Sequence, residues 1–255
     1  MTRPRVLLVE DEALFRMSVA ERLRRSNPGF EVLEAEHGAE ALAISKDHPP
    51  DCIVTDVAMP VMDGVELLVA LHNRRAHSGV VVMTAFAVTQ PFPGAPLEIL
   101  DKPLELGRLH GVIMRAIDSR GLLTVSAILH VLAALGRSDT LRVQTVDGAA
   151  EGRMQLRHGA VARAFWIDRE ASSAAHGVAA ALTMLSPSRP LVAGLERSEV
   201  WPHGTEVAAE PLSVKQLLLM ASARLRARVG GPPEESAEHG SVGSIPSASV
   251  SDRRN

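Results

Sequence analysis

Five polar side chains, drawn from four separate stretches of the chain, follow strand-like runs, and together they have the chemistry to hold a phosphoryl group. Glu10 and Asp11 follow Arg5-Val6-Leu7-Leu8-Val9, Asp56 follows Ile53-Val54-Thr55, Thr84 follows Val80-Val81-Val82-Met83, and Lys102 follows Leu97-Glu98-Ile99-Leu100-Asp101. Such short β-branched runs read as buried strands. If the strands are parallel neighbours, all five residues share one lip of the sheet, where open α/β folds bind ligands. Three carboxylates crowded there repel, at ~4 Å and an effective dielectric near 20 by about 4 kcal/mol per pair. They stay ionised together only around a cation, and an all-oxygen donor set suits Mg2+. Lys102 and Thr84 then supply the charge and the hydroxyl that an oxyanion needs. Each residue alone has a plain structural reading: acids favour a helix start, threonine suits a strand, and a lysine before proline suits a surface. It is their joint order that favours a site.

The intervening segments must set the strands side by side. Apolar residues recur at helical spacing at Leu14, Met17, Val19, Ala20 and Leu23, until Asn27-Pro28-Gly29 stops the helix. A short strand over 31–35 and a second helix over 38–45 lead to the break at Pro49-Pro50. A third helix follows Gly64 with Val65, Leu67, Leu68 and Leu71, and a last one is expected over 104–117. Strands alternating with helices predict a doubly wound parallel sheet. The 255 residues predict two domains. A net charge of −3 argues against a dedicated nucleic-acid binder. The single cysteine, Cys52, can form no internal disulfide and reads as a small buried hydrophobe. Met1–Glu12 meets acids at once, unlike a signal peptide, and the apolar run over 122–135 is too short to span a bilayer. A cytoplasmic location is expected.

Residues 3–119 resemble the receiver domain of two-component response regulators. The resemblance rests on Val9-Glu10-Asp11, Thr55-Asp56, Met59-Pro60, Met62-Asp63-Gly64, Thr84-Ala85 and Lys102-Pro103. It implies a flavodoxin-like strand order. It also implies that Asp56 accepts phosphate from a sensor histidine kinase or phosphotransfer protein. Asp11, Asp56 and the Ala58 carbonyl would bind Mg2+ directly, Glu10 would act through water, and Thr84 and Lys102 would contact the phosphoryl oxygens. Two departures stand out. The interval 85–96 holds Pro91, Pro93 and Pro96 where receivers have a helix, and Ile99 stands where they carry an aromatic switch residue. A remodelled signalling loop is expected there, with Phe86 hindering the water that removes the phosphate. Whether phosphorylation drives a homodimer stays open.

Beyond Gly121 the pattern changes to a helix over 125–135, strands over 140–146, 152–157 and 160–165, a small-residue helix over 171–185, a strand over 191–195 and a helix over 214–229. This order resembles the PATAN domain, found fused to receivers in regulators of motility and differentiation. Gly121-Leu122-Leu123, Ile128-Leu129-His130-Val131-Leu132, Leu141-Arg142-Val143, Gly152-Arg153-Met154-Gln155-Leu156, His158-Gly159-Ala160-Val161, Ala164 and the helix Gly177-Val178-Ala179-Ala180-Ala181-Leu182 carry it. It implies a smaller, non-catalytic α+β output that binds another protein. His130, His158, His176 and His203 show no metal-ligand spacing, and His130 reads as a core residue rather than a phosphotransfer histidine. Trp166 and Trp201 suit the core or a contact patch. The expected organisation is a receiver over 1–120, a PATAN-like domain over 121–229 and a disordered tail over 230–255. The alternative is a DNA-binding transcriptional response regulator, which would need a helix-turn-helix and a basic surface.

Overall fold

The computed structural model describes residues 3–85, 97–187, 189–196 and 212–229. The expectations for the interval around Phe86–Pro96, for Trp201 and His203 and for the 230–255 tail lie outside the described residues. The first sheet contains β1 (Arg5–Val9), β2 (Glu31–Ala35), β3 (Cys52–Asp56), β4 (His77–Thr84) and β5 (Glu98–Asp101) in the order β2-β1-β3-β4-β5. All four pairings along that path are parallel. The connecting helices are α1 (Ala13–Ser26), α2 (Gly38–Asp47) and α3 (Gly64–Asn73), and α4 (Leu106–Asp118) follows β5. The alternation predicts the parallel doubly wound sheet, and its strand order is the flavodoxin-like one that the receiver resemblance implies.

Side chains alternate across each strand, so the sheet feeds two cores. Val6, Leu8, Val54, Val81 and Met83 pack with residues of α1 and α4. Leu7, Val9, Ile53, Val80 and Val82 face the other way, toward α2 and α3, and that core runs on without a break into residues 123–221. Gly79 lets α4 approach β4, because a Cβ there would strike the backbone of Ala116.

The second sheet is antiparallel: β7 (Thr140–Thr145), β8 (Ala150–Arg157), β9 (Ala160–Asp168), β10 (Ser173–His176) and β11 (Leu191–Glu196) lie in the order β10-β9-β8-β7-β11. Around it lie α5 (Val125–Ala134), α6 (Gly177–Leu185) and α7 (Val214–Val229). The result is an α+β layer, as the pattern predicts. One expectation needs correction. The helix read over 171–185 starts only at Gly177, and 173–176 is a strand paired with β9. Asp168 Oδ1 accepts the amides of Glu170 and Ala171, and Ser172 takes a left-handed φ of 47°, so the chain turns back as a hairpin before alanine propensity can act.

Two short strands escape sequence patterns. β6 (Gly121–Leu122) pairs with His77 and Ser78 at the start of β4, and β12 (Leu212–Ser213) pairs with Ala160 and Val161. Contacts between the two sheet layers centre on α3. His72 Nδ1 lies 2.7 Å from the Leu123 carbonyl oxygen. Asn73, the last residue of α3, grips the edge strand β11: its Nδ2 donates to the Ala193 carbonyl at 2.8 Å, and the Ala193 amide donates to its Oδ1 at 2.7 Å. A helix-borne amide thus satisfies backbone groups that a sheet edge would otherwise leave open.

Candidate phosphoryl-transfer site

The carboxyl ends of β1, β3, β4 and β5 deliver the polar residues that the sequence singles out. Glu10 is buried just past β1, and its amide donates to the Ala35 carbonyl, which extends the β1–β2 ladder by one bond. Asp11, next in the chain, is exposed. Asp56 ends β3 and is 8% exposed. The carboxylate oxygens of Glu10, Asp11 and Asp56 reach within 4.8 Å of one another, the one such grouping among the described residues. Lys102, beyond β5, places Nζ 2.8 Å from both Glu10 Oε2 and Asp56 Oδ2. Thr84 is buried at the end of β4, one residue past Met83, the register partner of Asp56. Ala58 lies exposed in the loop two residues beyond Asp56.

Burial and the ammonium set the local charge. Desolvation holds the Glu10 carboxyl above its ordinary range, against the lowering pull of Lys102. Burial alone would lower Lys102, but its hydrogen bonds to Asp56 and Glu10 prevail and leave it raised. One cation thus offsets two carboxylates while Asp11 stays open to solvent. The excess negative charge and all-oxygen donors fit a hard divalent ion at this lip.

The loop after β3 is tightly held. Asp56 Oδ1 accepts the Val57 amide at 2.7 Å, and the Gly64 amide donates to the Val57 carbonyl at 2.9 Å. A Cβ at Gly64 would collide with the Asp56 carbonyl oxygen, so only glycine lets α3 begin this close to the strand end. Asp63 caps α3 in a reciprocal box, accepting the Glu66 amide at 2.8 Å while Glu66 Oε2 accepts the Asp63 amide at 2.9 Å.

Sequence reading misses two neighbours. Phe15 sets its ring 4.8 Å from Lys102 Nζ, and the Arg16 guanidinium donates to the Glu10 and Asp11 carbonyls. Both stand on the first turns of α1, directly behind the acids, and that adjacency was the available signal.

A family model described as the response regulator receiver domain matches residues 6–113. The transcriptional regulatory protein PdtaR of Mycobacterium tuberculosis is 34% identical over 174 residues, which cover 66% of this chain and 82% of PdtaR. The chain belongs to the response regulators. The chemotaxis protein CheY of Bacillus subtilis is 30% identical over 119 residues, covering 45% of this chain and 98% of CheY. The solved structure of CheY4 from Vibrio cholerae covers 45% of this chain and 99% of its own, at 31% identity and a TM-score of 0.39. Among the described residues of this response regulator, no helix is long and apolar enough to cross a membrane.

Proposed function

We propose that this response regulator works in a phosphorelay, with Asp56 as the phosphoacceptor of a receiver over 1–120 and with a PATAN-like output over 121–229. The observation that carries the reading is the Lys102 ammonium, set 2.8 Å from both Glu10 and Asp56 on the lip that Asp11 shares. In the proposed step an Asp56 carboxylate oxygen attacks phosphorus. The P–N bond of a donor phosphohistidine breaks, its electron pair stays on the imidazole nitrogen, and an acyl phosphate forms. Lys102 exchanges a carboxylate contact for a phosphoryl oxygen, and the Thr84 hydroxyl donates to another. Glu10, Asp11, Asp56 and the Ala58 carbonyl would hold Mg2+, whose positive charge offsets the charge on the phosphoryl oxygens. Beyond this self-catalysed transfer and its hydrolysis, no enzyme activity is assigned.

Leu14 and Met17 on α1 and Val61 in the loop after β3 are exposed apolar side chains on segments that flank the site. They suit docking of a sensor histidine kinase or phosphotransfer protein. For the output, protein binding is the preferred activity. PdtaR is named a transcriptional regulator, which favours DNA binding as the second reading. Against it, α5 is followed by a strand and α6 lies between two strands, so neither forms a helix-turn-helix. Incubating the full chain with acetyl phosphate and Mg2+ and measuring its intact mass tests the reading. One phosphate adduct, absent in Asp56→Asn, is expected; wild type that gains no adduct, even from a phosphorylated histidine donor, refutes it. Salt-dependent retention of duplex DNA would favour the second reading.

A further inference from the structure

A side chain of the second sheet layer reaches the phosphoacceptor loop. Arg137, between α5 and β7, donates from Nη1 to Asp63 Oδ2 at 2.8 Å, 74 residues away in sequence. Its Nε and Nη2 donate to Asp139 at 2.7 and 3.1 Å, so the planar fork is fixed on its own side before it meets Asp63. The three side chains are between 16% and 28% exposed, where a charge-assisted contact keeps more of its strength than at the open surface. Asp63 is doubly committed, with Oδ1 on the Glu66 amide and Oδ2 on Arg137. It also ends the loop that begins at Asp56. The next residue, Gly64, donates to the Val57 carbonyl and lies against the Asp56 backbone, where a single Cβ would not fit. Displacing Asp63 therefore displaces backbone in contact with Asp56.

We propose that Arg137 is a positioning residue for phosphoryl transfer at Asp56, supplied by the second sheet layer and acting through Asp63 and the start of α3. The proposal rests on the reading of Asp56 as phosphoacceptor and adds what fixes its loop. The coupling is reciprocal: if Arg137 favours the loop conformation that accepts phosphate, occupancy of Asp56 changes how firmly Arg137 is held. The second layer thus senses the modification through α3, to whose far end Asn73 binds Ala193.

The test uses the full chain as wild type, Arg137→Ala, Arg137→Lys, Asp63→Asn and the Arg137→Ala/Asp63→Asn double variant. Asn remains a good N-cap, so Asp63→Asn removes the charge while keeping the helix start. Two quantities are measured: the rate of phosphate uptake from acetyl phosphate by intact mass, and amide hydrogen exchange at Val57 and Gly64 in metal-free buffer. Arg137→Ala is expected to slow uptake about tenfold, below the roughly hundredfold that a 1 Å misplacement of reacting groups costs, and to speed exchange at both amides. Lysine recovers part of the loss, since one ammonium cannot reproduce the fork. The double variant is expected to be no slower than Arg137→Ala. Uptake by Arg137→Ala within about twofold of wild type, with Val57 and Gly64 exchange unchanged, overturns the proposal. So does a double variant whose loss is the product of the two single losses. Wild type that gains no adduct at all refutes the phosphoacceptor reading itself and this proposal with it.

Discussion

Replacing Asn73 by alanine tests whether α3 and β11 are joined by one amide. The substitution removes both hydrogen bonds to Ala193 and leaves a backbone N–H and C=O without protein partners. Ala193 is 9% exposed, so water reaches these groups poorly. Each buried unsatisfied group costs about 1–3 kcal/mol, and because both bonds are only part-buried the low end applies, about 2 kcal/mol for the pair. Alanine's better helix propensity at the last residue of α3 returns about 0.5 kcal/mol, leaving a net loss of about 1.5 kcal/mol. For a chain of this size that lowers Tm by roughly 3–6 °C. Urea denaturation followed by circular dichroism measures the loss. Asn73→Asp sharpens the test: it keeps an acceptor for the Ala193 amide but sets a second carboxylate oxygen against the Ala193 carbonyl, so above pH 5 it should be at least as damaging as alanine. A loss below about 0.5 kcal/mol for Asn73→Ala, the range of ordinary surface substitutions, would refute the claim that this contact joins the layers.

Other outcomes follow from the same structure. Gly64→Ala and Gly79→Ala should each destabilise the chain by about 1–3 kcal/mol through overpacking, but only Gly64→Ala, beside the Asp56 carbonyl, should also slow phosphate uptake. Lys102→Met removes the cation between Glu10 and Asp56 and should cost about 3 kcal/mol in EDTA, with part regained on adding Mg2+; equal unfolding midpoints in the two buffers would contradict this. Burial lowers the His130 imidazole below its usual range, so the unfolded chain takes up that proton first on acidification. Its share of stability is present above the unfolded pKa near 6.5 and is lost as pH falls through the folded value. His130→Leu should therefore lose less stability than wild type between pH 7.5 and 5.5, as read from urea midpoints.

The first sheet was legible because period, turn residues and strand-end chemistry agree. Apolar runs fixed β1, β3 and most of β4, and the acids and Lys102 marked the lip. What escaped depends on distant partners. His77 and Ser78 look like loop residues, and they are strand because β6 pairs with them, while Gly79 donates to the Asp51 carbonyl. The alanines at 174 and 175 favour helix locally, yet pairing with Trp166 and Ile167 makes them strand. The three carboxylates were foreseen, but not that one lysine would bridge two of them. Arg137 gave no local signal, because its role exists only once residue 63 is brought to it.

The seam at β6 bears on how such chains are recombined. Gly121 and Leu122, where a boundary would be cut, are themselves laddered to β4, and one apolar interior joins residues before and after them. Exchanging the first 120 residues for another receiver would sever that ladder and strip the Asp63 and Asn73 attachments unless the graft brought equivalents along. Chimeras cut there should misassemble, while those that transplant the outer surface of α3 together with the second sheet should hold together.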